Sequence, residues 1–386
     1  MTSGRPDRAR PLICATFAVA LAFAWQALAV RFNYSGNWTG LFCTGVVVPP
    51  PPTLAAENIY RFSGTYGYDG QFYHYVAHDP LLQNGMERHM DWPRMRYARI
   101  LVPGLAALLA AGQSQHVDVA YISVNLLFLF AGIYWLSRFL AIYGFHPVWA
   151  VLYLLAPATV VSLDRLTVDL ALVSLTIGFA LYVTEDRPRK IYLILALAPL
   201  ARETGFLFTA AYCLAELREH RLKRAFLFAT SAVPAVAWYA FLTARTSGHD
   251  IMSWLTSFPL ASLTSRMLHP VHYASAPVVA LAANMLDELA LAGALCSLIL
   301  PFWPLRKKPL QFAVILIAAG SLNFGPPFWI EAYAFGRILS PLLVVLALFA
   351  VQSRSWVPLL PLIMISPRVI FQMGGQFIKV AHGLFT

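Results

Sequence analysis

Asp69 lies between two glycines in the run Gly67-Tyr68-Asp69-Gly70-Gln71-Phe72-Tyr73-His74-Tyr75. Glycines on both sides allow a tight turn that presents the carboxylate. The side chains around it, Tyr68, Gln71 and Tyr73, suit a sugar, whose C–H faces stack on rings while its hydroxyls hydrogen-bond. The same residues also fit an Asx turn beside an interfacial aromatic belt, with no ligand. His74 and His78 stand four apart, on one face of a helix, with Asp79 adjacent. That spacing offers two metal ligands, and His89 and Asp91 must fold back to complete a set. An interfacial helix face accounts for the pair as well, so no metal ligand is assigned.

Further polar groups interrupt apolar sequence. Asp164 and Arg165 can pair with each other at headgroup level, while Asp169 sits deeper, where ionisable groups are costly and usually line a cavity. Ala201-Arg202-Glu203-Thr204-Gly205 breaks a long apolar stretch. Either Arg202 and Glu203 form an ion pair that joins two helices, or Arg202 faces a phosphate through its two-pronged donor set. Glu331, Tyr333 and Arg337 form a similar rim before a late apolar run. Two such arginines, at the outer ends of different spans, point to a shared cavity rather than two accidents.

Membrane helices must position these groups. The 386 residues are 59% hydrophobic and only 12% charged, against about a quarter charged in a soluble domain. The net charge of +10 does not indicate nucleic acid, because the basic residues sit in short clusters between apolar runs. A spanning helix takes about 20 mostly apolar residues. Apolar runs occur at 12–30, 119–136, 148–163, 166–183, 191–200, 206–217, 225–242, 278–302, 312–329, 338–351 and 357–371. The expectation is an all-α fold: one polytopic transmembrane helical bundle of about eleven spans. Residues 31–118 form a long first outer loop, 119–371 the rest of the bundle and 372–386 a tail. Within the loop, the proline run 49–52 reads as an extended stretch. The apolar segment 100–111 is too short to cross and reads as a re-entrant or interfacial helix.

Charge sets the expected orientation. Arg5/Arg8/Arg10, Arg138, Arg187/Arg189/Lys190, Arg218/Arg221/Lys223/Arg224, Arg306/Lys307/Lys308 and Arg354 fall on one side when 100–111 does not cross and 191–217 is two short spans. The positive-inside rule places that side in the cytoplasm, N-terminus included. The loop 31–118, Asp164, Arg202, the segment 245–276, the segment 331–337 and the tail then face out. No Walker loop, GxGxxG, HExxH or CxxC occurs, so a nucleotide-binding site is not expected. Of Cys14, Cys43, Cys213 and Cys296, only Cys43 falls in a water-facing loop, and no disulfide is expected.

Together these positions resemble the GT-C superfamily of membrane-embedded glycosyltransferases. Tyr68-Asp69-Gly70-Gln71-Phe72-Tyr73 is similar to the first-loop aspartate motif of its bacterial members. Arg96-Tyr97-Ala98-Arg99-Ile100-Leu101-Val102-Pro103 resembles the basic, proline-containing segment that follows. Arg202-Glu203-Thr204-Gly205 resembles an Arg/Lys-Glu-Thr-Gly step midway, and Arg337-Ile338-Leu339-Ser340-Pro341 an Arg-Tyr-x-x-Pro start to a late span, with Ile338 in place of tyrosine. The resemblance covers the chain from the first span to about Val351.

The resemblance implies a sugar transferase of the bacterial inner membrane. It would move a sugar from a polyprenyl-phosphate donor to a glycan or lipid acceptor on the periplasmic face, in contact with membrane lipids. Asp69 would act on the acceptor as base or through a divalent cation. The second outer loop lacks Asp-x-Asp, since Asp164 and Asp169 are five apart, so no cofactor is assigned. Arg202, Arg337 and Arg99 would bind the donor phosphate. Tyr68, Gln71, Tyr73, Asp164, Asp169, Glu203, Glu331 and Tyr333 would contact substrate. Two other classes stay open: a lipid-linked glycan transporter, which needs a polar path to the cytoplasmic face, and a non-catalytic scaffold, which would tolerate loss of Asp69.

Overall fold

A computed structural model describes residues 9–246, 255–256, 258–302 and 308–386. Arg5, Arg8, Arg306 and Lys307, used above for orientation, lie outside these residues, as does part of the segment 245–276. The described chain is mostly helical, with almost no strand. Five helices are long and apolar enough to cross a membrane, or up to seven if each of two bent pairs is one span. The protein is therefore a multi-pass membrane-type helical bundle.

Helix α1 (Ala9–Asn33) shows how the sequence makes such a bundle. Its buried residues Ala15, Ala18, Ala22, Gln26 and Ala29 recur at helical spacing, and this small-residue stripe packs on α5 (Val117–Ile142). Small side chains let backbones approach where lipid supplies no hydrophobic drive. Leu12, Ile13, Phe17 and Leu21 stay exposed on the other side.

Between them, 31–118 folds into short elements. A two-residue strand β1 (Thr44–Gly45) pairs in parallel with β2 (Arg61–Phe62). Three helices follow: α2 (Asp69–His78), α3 (Pro93–Ala98) and α4 (Leu101–Leu109). Helix α2 is buried from Gly70 through Ala77 and packs against α4 and α5.

The rest of the bundle is α6 (Pro157–Arg165), α7 (Asp169–Thr184), α8 (Pro188–Ala201), α9 (Phe206–Arg218), α10 (Leu222–Ala229), α11 (Val233–Arg245), α12 (Ala261–Leu268), α13 (Pro277–Ile299), α14 (Lys308–Ser321), α15 (Pro326–Trp329), α16 (Ala332–Ser353), α17 (Leu360–Phe371) and α18 (Gly374–Phe385). Its centre is α7, buried from Asp169 through Val183, against α16, buried along most of its length. Apolar character all round is what a helix needs when other helices surround it.

Proline and glycine explain why fewer full-length spans appear than the apolar runs suggest. The run 148–163 is split at Ala156-Pro157 into a 3-10 stretch, Pro147–Leu155, and α6, bent by 60°. The run 312–329 ends as α14 at Ser321, with the short α15 beyond. Helices α8 and α9 have 14 and 13 residues. At 1.5 Å per residue each is about 20 Å long, short of a ~30 Å hydrocarbon core. The expected tail is itself a helix: α18 bends 55° from α17 and packs back on α1.

Candidate functional site

Asp69 is the first residue of α2, where a carboxylate complements the helix dipole. It is not held in an exposed turn. A Cβ on Gly70 would come within 2.0 Å of the Arg165 carbonyl oxygen and 2.9 Å of that of Phe42. Only glycine lets α2 start this close to the end of α6, and that contact aims Asp69 inward.

Two arginines meet it there. Arg96, on α3, places Nη1 3.0 Å from Asp69 Oδ1. Arg337, in the second turn of α16, donates to Asp69 Oδ2. Arg96 is also held by Asp91, through Nε at 2.8 Å and Nη2 at 2.9 Å. Arg337 reaches Asp169, at the start of α7, at 3.4 Å. Pro341 has no N–H to offer the Arg337 carbonyl one turn back.

The network continues through Asp169. Its other oxygen accepts from Arg202, which is extended at the break between α8 and α9. A Cβ on Gly205 would fall within 2.2 Å of the Ala198 backbone, so the glycine permits this tight return. Glu203 lies 3.9 Å from Arg202 and is gripped by Arg99, through Nη2 at 2.6 Å and Nε at 2.9 Å. Arg99 also donates to the Tyr73 hydroxyl at 2.8 Å.

Asp91, Arg96, Asp69, Arg337, Asp169, Arg202, Glu203 and Arg99 thus form one alternating chain of four carboxylates and four arginines. The arginine side chains are 3–8% exposed, whereas Asp69 is 17% and Glu203 15% exposed. Solvent therefore reaches the network at Asp91, Asp69 and Glu203, whereas Asp169 is buried with the arginines.

Electrostatics follow from this arrangement. Burial alone would raise the Asp69 carboxyl, but Arg337 and then Arg96 more than offset it, holding the group well below the usual carboxylate range. Glu203 is likewise pulled down to about 2: burial opposes, and Arg99 prevails. Glu331, half-buried just before α16, shifts the other way, because burial outweighs Arg337. Glu331 has no ion-pair partner among the described residues. Asp91, Asp69, Asp169 and Glu203 are each already matched to an arginine, so this donor set does not fit a divalent cation.

The other expected site residues divide in two. Tyr68 lies against this network, with the Arg337 guanidinium 5.0 Å from its ring centroid and the Tyr333 ring edge-on at 6.1 Å. Tyr333 donates to Asp164 at 3.1 Å, Arg165 pairs with Asp164 at 2.9 Å, and Gln376 of α18 donates to Asp164 at 2.6 Å. Gln71 is occupied elsewhere: its amide donates to the Tyr66 carbonyl and accepts from the Gly45 N–H. Tyr73 is fully buried and meets the site through Arg99, which donates to its hydroxyl, and through Arg96, whose guanidinium lies 5.7 Å from its ring centroid. Cys43 is buried rather than water-facing, and its sulfur accepts from Arg165.

Sequence reasoning assigned no role to Arg96, although the basic segment contained it, and did not place Asp91 beside Asp69. It also missed a second buried cluster. Asp287 of α13 accepts from Arg266 of α12 at 2.8 Å, from Arg368 of α17 at 2.7 Å and from Tyr273. The carboxylates Asp287 and Glu288 inside the apolar run 278–302 were the available signal.

Beside α4 lies a mostly apolar groove of about 790 Å³, lined among others by Ile100, Leu101, Leu105, Leu108, Leu200 and Trp238. Two of its lining residues are close in sequence to the arginine network: Ile100 follows Arg99, and Leu200 is two residues before Arg202. No protein family, curated protein or solved structure matches this chain.

Proposed function

We propose that this protein is a membrane-embedded glycosyltransferase of the GT-C kind. It would take a sugar from a polyprenyl-phosphate donor and give it to a cell-envelope glycan or lipid on the periplasmic face of a bacterial inner membrane. The N-terminus would be cytoplasmic, the loop 31–118 periplasmic, and α8 and α9 would count as two short crossings in a total of about eleven. The observation that carries the reading is the pairing of Arg96 and Arg337 with Asp69, linked through Asp169 and Glu203 to Arg202 and Arg99, with an apolar groove beside α4. Clustered arginines suit a phosphate, and the groove suits an isoprenoid chain.

The resting ion pairs define the mechanism. Asp69 held by two arginines is a poor proton acceptor, because a general base works best with its pKa near ambient pH. A donor phosphate competes for the same guanidinium groups. As Arg337 and Arg96 turn to it, Asp69 loses its counter-charges and its proton affinity rises. The acceptor hydroxyl then gives its proton to Asp69, and its oxygen forms a bond to the anomeric carbon. The bond from that carbon to the phosphate oxygen breaks, and the lipid phosphate leaves with the electron pair. The arginines stabilise the charge that grows there. Direct displacement inverts the anomeric centre.

The test is mass spectrometry of surface glycans from a strain lacking the protein, complemented by wild type, Asp69→Asn or Asp91→Asn. Asp69→Asn cannot take the proton, and turnover should fall by about 10²-fold or more. Asp91→Asn removes the other partner of Arg96 but leaves the base, so most glycan should return. A glycan profile unchanged by deletion, or fully restored by Asp69→Asn, would overturn the reading.

A further inference from the structure

The far end of α2 carries a second polar cluster with different chemistry. Nε2 of His74 and Nε2 of His78 lie 3.1 Å apart. Glu57, in the loop after the short turn Pro52–Leu54, places Oε1 3.6 Å from His78 Nε2 and Oε2 3.9 Å from His74 Nε2. Asp118, in the first turn of α5, places Oδ1 2.7 Å from His74 Nε2. His89 and Asp91, which spacing alone offered as completing ligands, are not part of this cluster.

We propose that Glu57, His74 and His78, completed by Asp118, form a divalent-cation site of zinc type that fastens the loop to α2 and α5. Zinc takes imidazole and carboxylate ligands in a tetrahedron at ~2.0–2.2 Å, which sets ligand atoms about 3.3 Å apart. The observed separations of 2.7, 3.1, 3.6 and 3.9 Å bracket that edge. One ligand atom from each of Glu57, His74 and His78 lies within 4.8 Å of the others.

The hydrogen bonds around the cluster favour a cation over a self-satisfied polar knot. Ser114 Oγ donates to Glu57 Oε1 at 2.7 Å, and its own oxygen is 3.0 Å from His78 Nδ1. With its proton spent on Glu57, Ser114 accepts from Nδ1–H. That leaves the lone pair of His78 on Nε2, aimed at the cluster. Fixing the tautomer of a ligating imidazole through its other nitrogen is the usual outer-shell arrangement in metal sites. Glu57 Oε2 is buried and has no hydrogen-bond partner. His74 is fully buried and stacked on Phe42 at 4.0 Å, which fixes its ring plane. Loading needs the His74 proton to move from Nε2 to Nδ1, which is buried without a hydrogen-bond partner, and Asp118, which accepts from Nε2–H in the empty cluster, then becomes the fourth ligand.

The cluster is reachable. Glu57, Ser114 and Asp118 line a surface cleft of about 420 Å³, and His78 lines the apolar groove on the other side. Its position gives it a structural role. It joins a loop, α2 and α5, and His74 is five residues from Asp69 on the same helix. The proposal does not depend on the glycosyltransferase reading.

The experiment uses the full-length protein in detergent, stripped with a chelator and titrated with Zn²⁺. Calorimetry should give one equivalent per chain, and Tm should rise by several degrees, since a ligand bound only by the folded state stabilises it. Co²⁺ in place of Zn²⁺ should give the intense visible absorption of a four-coordinate ion. Glu57→Gln keeps the loop's polarity and His78→Gln its hydrogen-bonding capacity. Each should weaken binding at least tenfold, while His89→Gln should bind as wild type does. Absence of stoichiometric binding to wild type, or equal affinity in wild type, Glu57→Gln and His78→Gln, would overturn the proposal. Because the readouts are binding and Tm, failure here leaves the sugar-transfer reading untouched, and loss of glycan activity says nothing against the metal.

Discussion

Two arginine–carboxylate clusters sit inside this bundle, and they differ in balance and in access. Around Asp69, four arginines face four carboxylates, of which Asp91, Asp69 and Glu203 are partly open and Asp169 is sealed. Around Asp287, Arg266 and Arg368 share a single carboxylate that is 2% exposed, with Tyr273 and Gln372 filling in. Nε and Nη1 of Arg266 are buried without partners. A balanced, accessible network can exchange one carboxylate for an incoming anion at little cost, because each arginine keeps another partner. A cluster with one shared, sealed carboxylate cannot. The first arrangement suits a site, and the second suits a clamp joining α12, α13 and α17.

The largest expected effect therefore lies in the clamp, not in the site. Asp287→Leu leaves two buried guanidinium groups without a counter-ion. Removing one partner of a buried pair typically costs about 3–5 kcal/mol. Thermal unfolding in detergent should show a loss of that order, with little folded protein recovered. A stable, well-folded Asp287→Leu protein would erase the distinction between the clusters.

A smaller effect is expected where the network is redundant. Arg202 is held chiefly by Asp169 and is close to Glu203. Arg202→Lys keeps a positive charge for Asp169 but loses the planar, two-pronged donor geometry. Stability should change by less than about 1 kcal/mol. Apparent affinity for a polyprenyl-phosphate, measured by its protection of Tm, should fall roughly tenfold, which corresponds to about 1.4 kcal/mol. Unchanged affinity would show that Arg202 serves Asp169 alone and that the two clusters are both structural.

How much of this was legible in the sequence follows from what each feature depends on. The membrane class and the all-helical fold came from apolar content and run length, which are local quantities. Arg202 and Arg337 stood out because charge is rare at the ends of such runs, Asp69 because glycines flank it among aromatic residues, and the structure links all three through Asp169. Their partners were not legible. That Arg202 would choose Asp169 over its neighbour Glu203 depends on the tight return at Gly205, a close approach that spacing does not report. Gln71 looked like a substrate contact beside Asp69, but two residues along a helix turn a side chain to the opposite face, and it pins Gly45 and Tyr66 instead. His74 and His78 announced a helical pair, while Glu57 and Asp118 are brought in from elements 17 and 44 residues away from His74. The number of full-length spans was the least legible feature, because proline breaks at Pro157 and Pro326 divide apolar runs without changing their composition.

The most gradual expected effect is a dependence on acid, and it tests the Asp69 network without any assay of activity. Asp69 and Glu203 are both held below their ordinary values by arginines, Glu203 at about 2. Unfolded, an aspartate titrates near 3.9 and a glutamate near 4.3. Below those values the unfolded chain binds protons that the folded chain still refuses, so stability falls as pH falls. The stabilisation is fully present above about pH 5 and is lost as pH drops through the unfolded values towards the folded ones. Each group contributes a slope of at most about 1.4 kcal/mol per pH unit in that window. Tm of the wild type in detergent should be flat from about pH 7 to 5 on this account and decline below it. Asp69→Asn and Glu203→Gln should each lower Tm at neutral pH and flatten the acid decline, because the proton uptake on unfolding is gone. If both variants keep the wild-type slope, the arginines do not hold these carboxylates ionised. The exchange of Asp69 for a phosphate would then lose its electrostatic basis.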